Sequence, residues 1–277
     1  MCRWLGYDGS PILLEEILFK AKHSLIDQSM ASKSRETPTN GDGFGVGWYG
    51  TRETPGLFRS IRPAWNDFNL RDIAAQIESR LFLAHVRATS LATVQETNCH
   101  PFRYGRWLFV HNGEIFEIEK YRRDLLLRVD EKYFENIQGT TDSEVMFHLA
   151  LTFGLEEDPI GALERMAGFV ESVARAHGVD ESLWMTLGVS DGKTLYAVRY
   201  ASDGEAPTLF RSRDLQDLAK LNPRLADLFS KESRLVVSEP IGVIASAWLP
   251  VPQATALEIR EGEIRQRPFR PAPPPNG

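Results

Sequence analysis

The residue that could do the most chemistry stands almost at the start of the chain, at Cys2. Removal of Met1 would make it amino-terminal, with an α-amine of pKa near ~8 that is partly unprotonated at neutral pH and can take the thiol's proton. Nucleophile and base would then share one residue, as they do in threonine nucleophiles with a free amine. The plainer reading of position 2 is a permissive residue at a fraying end. Cys99 is the rival nucleophile, but it brings no base of its own. Arg87, the pair Asn112-Gly113 and the run Thr141-Asp142-Ser143-Glu144 are the other polar features that stand out. Each has a bland reading taken alone. Arg87 would be an ion pair at a strand end, and Asn-Gly after a strand an ordinary hairpin turn. Asp142 would be an acid in the first turn of a helix opened by a capping box, which is favourable there without any ligand.

These residues need elements to position them, and the hydrophobic pattern supplies candidates. Residues 3–7 and 43–50 read as strands, the second alternating glycine with Phe44, Val46 and Trp48 so that one face packs closely. Helical spacing marks 14–21 and 24–30, and Asn66 or Asp67 caps a helix expected to run to about Glu78. Buried-strand runs follow at 81–87 and 107–111, and helices dominate from 117 to 176. Strands return at 183–190, 194–200, 234–237 and 254–259, with turns at Asp191-Gly192 and Glu261-Gly262. Strands, then helices, then strands describe a layered α+β domain rather than βαβ units.

Composition narrows the function. The chain has 277 residues, 42% hydrophobic and 25% charged, which is a globular profile. A formal charge of −6 argues against phosphate-held nucleic acid as a partner. No apolar run approaches a membrane span, and no charged leader precedes an apolar stretch, so neither a membrane nor a secretory signal is expected. Two cysteines make no disulfide scaffold, and the expected location is the cytoplasm. The histidines show no ligand spacing and Cys99 has no neighbouring cysteine, so no metal is expected. Residues 45–50 satisfy G-x-G-x-x-G, but Thr51-Arg52-Glu53-Thr54-Pro55 follows where a helix would have to begin, so no dinucleotide or other cofactor is expected.

One ordered set of motifs goes further. Met1-Cys2-Arg3-Trp4-Leu5-Gly6-Tyr7, Asn40-Gly41-Asp42-Gly43-Phe44-Gly45, His85-Val86-Arg87-Ala88, Asn98-Cys99-His100-Pro101-Phe102, His111-Asn112-Gly113 and Thr141-Asp142-Ser143-Glu144 occur at compatible spacing. Together they resemble the class II glutamine amidotransferase domain of the N-terminal-nucleophile hydrolases, over about residues 1–270 and most strongly before Glu144. The likeness is greatest to the stand-alone members, including the γ-glutamyl hydrolase of ergothioneine biosynthesis. It implies a four-layer αββα sandwich, two antiparallel sheets between helical layers. The domain is expected over residues 2–266, with 267–277, which hold five prolines, as an extended tail.

The resemblance also implies roles. Cys2 would attack the γ-carbonyl of glutamine or another γ-glutamyl amide and form a thioester. The Asn112 side chain and the Gly113 amide would hold the oxyanion. Arg87 would take the substrate's α-carboxylate through a bidentate contact, and Asp142 its α-ammonium. In synthetase-linked members the arginine is followed by Trp, Ala, Thr and His, whereas here Ala88, Thr89, Ser90 and Leu91 follow. Ser90 keeps a hydroxyl that can bond substrate, but Leu91 cannot replace a histidine. Two alternatives accompany amide hydrolysis by this chain alone. One is ammonia supply to a separate synthetase subunit, and the other is an inactive sandwich kept as a binding module.

Overall fold

The computed structural model describes residues 2–30, 39–88, 93–215 and 228–275. The order of elements is β1 (Arg3–Leu13), α1 (Leu14–Leu18), α2 (Leu25–Met30), β2 (Phe44–Trp48), β3 (Gly56–Ser60), α3 (Phe68–Ala74) and β4 (Glu78–Val86). Then come β5 (Phe102–Tyr104), β6 (Trp107–Ile115), α4 (Arg122–Leu127), α5 (Glu131–Phe134), α6 (Asp142–Thr152) and α7 (Pro159–Ala176). The last third holds β7 (Leu183–Ser190), β8 (Leu195–Ala201), β9 (Phe210–Ser212), β10 (Arg234–Val237), β11 (Trp248–Pro250), β12 (Thr255–Arg260) and β13 (Glu263–Pro268). The strands form two sheets, ordered β11-β9-β10-β1-β4-β2-β3 and β13-β12-β8-β7-β6-β5, and each recorded strand pair is antiparallel.

Side-chain alternation explains the layering. Trp4, Leu81, Leu83, Leu108, Val110, Leu195, Ala197 and Leu257 form a core between the sheets. Their strand neighbours Leu5, Tyr7, Phe82 and Ala84 pack instead with Leu14, Ile17, Leu25 and Leu70 of α1, α2 and α3. Phe109, Ile115, Met185 and Leu187 pack against α6 and α7 on the other side. The result is the four-layer αββα sandwich. The glycines of β2 let the sheets approach, since a Cβ on Gly47 would stand 2.8 Å from Leu108 and one on Gly45 2.3 Å from the His100 carbonyl. α6 is buried from Ser143 to Leu151, because it lies between the second sheet and α7.

Two expectations are corrected. The helix expected to reach Glu78 ends at Ala74, because the Ile77 carbonyl accepts from Leu14 N–H and Glu78 pairs with Leu13 in the β1–β4 ladder. Asp67 is the residue that caps it, accepting from Leu70 N–H at 2.8 Å. The segment expected as a tail from 267 begins inside β13, where Arg267 pairs with Ala256 and Pro268 with Thr255. A proline is tolerated at that strand end because no ladder donor is required of it there. Phe269 is buried beyond it, and Ala272 N–H donates to the Glu164 carbonyl of α7 at 3.2 Å, beside Gly168, where a Cβ would stand 2.3 Å from Ala272.

Candidate active site

Cys2 stands one residue before the β1 ladder, which opens with Arg3 opposite Val86. Alternation carried back from Trp4 aims it into the space between the sheets. Its thiol donates to the Ala88 carbonyl at 3.4 Å. Burial pushes the Cys2 thiol above its ordinary pKa, Arg87 pulls it down and Asp142 pushes it further up, so both charged groups lie within electrostatic reach.

Arg87 leaves β4 on the same face as Leu83 and His85. Its backbone is fixed by bonds to its neighbours, N–H to the Gly43 carbonyl at 2.8 Å and carbonyl from Asp42 N–H at 3.1 Å. The residue is buried, yet among the described residues its guanidinium meets only a long contact, Nη1 to the Asp42 carbonyl at 3.5 Å. Among the described residues it has no ion-pair partner, so the strand-end salt bridge that the sequence allowed is absent there. A buried cation without an anion is unfavourable and is retained only where something else compensates it. Its surroundings offer neutral rings instead. The rings of His85 and His100 meet tilted at 32° with centroids 4.2 Å apart, and burial drives both below the ordinary imidazole pKa, His85 to about 3.

Asn112 and Gly113 sit inside β6, not in a hairpin turn, opposite Thr186 and Met185 of β7. Gly113 takes φ +153°, and a Cβ there would stand 2.0 Å from the Trp184 carbonyl and 2.7 Å from His111 Nε2. Only glycine fits. The Asn112 carbonyl accepts from the Thr186 hydroxyl at 3.3 Å, and that oxygen accepts from Trp4 Nε1 at 3.0 Å. A polar chain thus ties the strand that carries Cys2 to the strand that carries Asn112.

Asp142 is the first residue of α6. Thr141 caps the helix, its hydroxyl accepting from Glu144 N–H at 3.2 Å. The capping box is only half formed, because the Glu144 carboxylate turns away to accept from the Gln138 and Gly139 amides. Asp142 Oδ2 accepts from Ile115 N–H at 2.9 Å, which docks the helix onto the end of β6. Its Oδ1 accepts from Ser143 N–H at 2.7 Å and from the Ser143 hydroxyl at 3.1 Å, and that hydroxyl lies 2.8 Å from His111 Nδ1. His111 Nε2 approaches the Trp184 carbonyl at 3.3 Å, the same oxygen that crowds Gly113. Burial lowers the His111 pKa and Asp142 opposes that shift.

The structure therefore places Arg87 and Asp142 each within electrostatic reach of Cys2 and lays Asn112-Gly113 on a strand docked to Asp142. Ser90 lies outside the described residues. Cys99 is fully buried, its thiol donates to the Ser60 carbonyl at 3.4 Å, and burial pushes it up to about 11. The sequence did not reveal His111, Ser143, Trp4 and Thr186 as parts of the frame, although His111 adjoins Asn112 and Ser143 adjoins Asp142. Glu114 was also passed over. It shares the Asn112 face and is pushed up first by burial and then by Asp142. Among the described residues no group of three His, Cys, Asp or Glu is arranged to hold a metal ion, and no helix there is long and apolar enough to cross a membrane.

Comparison with known proteins matches this arrangement to a family. The family model for class-II glutamine amidotransferases matches residues 19–273. The chain is 33% identical to the probable glutamine amidotransferase DUG3 of Saccharomyces cerevisiae over 302 residues, covering 97% of this chain and 84% of that protein. It is 27% identical to the gamma-glutamyl-hercynylcysteine sulfoxide hydrolase of Mycolicibacterium smegmatis over 206 residues, 74% of this chain and 85% of that one. Among solved structures, a glutamine aminotransferase class-II domain protein from Silicibacter pomeroyi superposes with a TM-score of 0.73 at 34% identity, covering 98% of this chain and all of that one. The glutamine phosphoribosylpyrophosphate amidotransferase of B. subtilis, at 12% identity and a TM-score of 0.66, shares the fold over 97% of this chain and 49% of its own.

Proposed function

Since the chain belongs to the class II glutamine amidotransferases, a family of enzymes, we propose that Cys2 is its nucleophile and that it hydrolyses γ-glutamyl amides. The observation that carries this reading is the buried Arg87 guanidinium, without a carboxylate among the described residues and within electrostatic reach of the Cys2 thiol. A substrate α-carboxylate supplies the missing anion. Asp142 receives the α-ammonium, and the amino-acid head group held at both charges aims its γ-carbonyl at the thiol.

The α-amine bared by loss of Met1 takes the thiol proton through a water molecule. The sulfur attacks the γ-carbonyl, and the oxyanion is held by the Asn112 side-chain amide and the Gly113 N–H. Collapse expels ammonia or an amine, which leaves with the proton. Water then hydrolyses the γ-glutamyl thioester and frees glutamate and the thiol. Hydrolysis, rather than transfer, follows the relative named as a gamma-glutamyl hydrolase.

The test is a panel of γ-glutamyl amides with wild type and Cys2→Ala, together with amino-terminal mass analysis after a glutamine-like electrophile. Expected are loss of Met1, an adduct on Cys2 and at least a 10³-fold fall in kcat for Cys2→Ala, about 4 kcal/mol of lost transition-state stabilisation. An adduct on Cys99 alone, or activity in Cys2→Ala, overturns the reading. Activity that appears only when a synthetase is added transfers the assignment to an ammonia-supplying subunit.

A further inference from the structure

A nucleophile at residue 2 stands where chains fray, and fixing one residue's backbone costs about 1–2 kcal/mol of conformational entropy. The β1 ladder cannot hold it, because its first pair is Arg3 with Val86. Cys2 is gripped instead by the side chain of its own neighbour. Arg3 Nη1 donates to the Cys2 carbonyl at 2.9 Å, and Nε of the same guanidinium donates to Glu239 Oε2 at 3.1 Å. The guanidinium is a rigid planar fork, so anchoring Nε fixes the direction in which Nη1 points.

Glu239 is itself built into a packed joint. Its side chain is 12% exposed and that of Arg3 9%. Its second oxygen lies 3.1 Å from His23 Nε2. Gln28 Nε2 spans the carbonyls of His23, Glu239 and Pro240 at 3.2, 3.3 and 3.2 Å. The preceding residue, Ser238, donates its N–H to the Trp4 carbonyl at 3.0 Å and accepts from Trp4 N–H on its hydroxyl at 3.0 Å. A carboxylate more than 230 residues away along the chain is thereby locked to the first residues of β1.

We infer that Glu239 is a positioning residue for the nucleophile: by fixing the Arg3 guanidinium on the Cys2 carbonyl it holds the thiol over the Arg87 end of the inter-sheet space. This inference rests on the reading of Cys2 as nucleophile. When Met1 is gone, the carbonyl is the one main-chain group of Cys2 that a side chain still fixes among the described residues. A nucleophile displaced by ~1 Å loses about 10²-fold in rate, whereas substrate bound at Arg87 and Asp142 is unaffected.

The experiment compares Glu239→Ala and Glu239→Gln with Tyr200→Phe, which removes the Tyr200–Glu171 hydrogen bond on the far face of the second sheet. Three quantities are read: kcat and KM for hydrolysis of a γ-glutamyl anilide, the alkylation rate of Cys2 by a glutamine-like chloroketone, and Tm. Glu239→Ala should lower kcat and the alkylation rate together by about 10–100-fold with KM within about 2-fold. Glu239→Gln keeps an oxygen for Arg3 Nε and should recover most of the loss. If the alanine variant does not fold, a parallel fall of about 3–10-fold in kcat and alkylation for the glutamine variant carries the result. Wild-type kcat in Glu239→Ala, or a loss matched by Tyr200→Phe at equal Tm, overturns the inference. Activity surviving in Cys2→Ala defeats the nucleophile assignment instead, so the two failures are told apart.

Discussion

The start and the middle of β1 lie beside buried charge of opposite sign, and they handle it differently. Alternation places Cys2, Trp4, Gly6 and Asp8 on the one face that looks between the sheets. At the Cys2 end stands Arg87, a buried cation with no carboxylate partner among the described residues. Midway along the strand Asp8 is fully buried, with neither oxygen in hydrogen-bond geometry, and the half-exposed Arg80 guanidinium is 3.6 Å away. Burial, only partly offset by Arg80, raises Asp8 from 3.8 to about 6. Asp8 can relieve its burial by taking a proton near neutrality. Arginine cannot lose one, so the Arg87 charge stays and can be balanced only by an anion. Equal burial therefore leaves a group that can titrate at mid-strand and a fixed charge at the Cys2 end.

The comparison can be broken most forcefully at Arg87. Arg87→Met should lower kcat/KM about 10³-fold, since removing one partner of a buried charge pair costs about 3–5 kcal/mol. The same variant should keep or raise the Tm of the ligand-free protein, because it removes an unpaired buried charge. Steady-state kinetics and thermal unfolding read the two signs, and a fall in Tm with unchanged kcat/KM would make Arg87 structural. Gly113→Ala comes next. Its Cβ has no space beside the Trp184 carbonyl, so the amide must swing away from the oxyanion. A loss of about 10²-fold in kcat is expected, the usual effect of one oxyanion donor, with KM changing little.

Asp8→Asn has the smallest effect on activity and sharpens the contrast. The folded-state pKa is above the ordinary 3.8, so this carboxyl stabilises the fold fully below about pH 4 and the contribution is lost as pH rises through 6. At pH 8 the shift, in which the Arg80 attraction is already counted, amounts to ~3 kcal/mol. Denaturant unfolding should show Asp8→Asn more stable than wild type at pH 8 and equal to it near pH 4, with hydrolysis unchanged. A stability gap independent of pH would remove Asp8 from the comparison.

How much of this was legible varies with the range of the interaction. Runs of β-branched and aromatic residues marked the strands at 183–190 and 234–237 to the residue, because a strand buried on a face writes its period into adjacent positions. The short strands β3, β5, β9 and β11 left no such mark, since strands of three to five residues are too short to write a clear hydrophobic period. Thr141 was readable as a cap because its partner is three residues away. Glu144 was misread as closing the box because its actual partners, the amides of Gln138 and Gly139, depend on how the preceding loop folds back.

The sequence by itself determined which residues share a face and which chemistry is on offer: a thiol at position 2, an Asn-Gly pair, an arginine after a strand and an acid at a helix start. Those are properties of neighbours in the chain, set by backbone period and side-chain type. Only the tertiary structure decided that Arg87 has no carboxylate partner among the described residues, that Trp184 forbids a side chain at Gly113, and that Glu239 reaches Arg3. Each of these is a contact across 71 residues or more, or the lack of one, and no local pattern encodes what lies across a sheet.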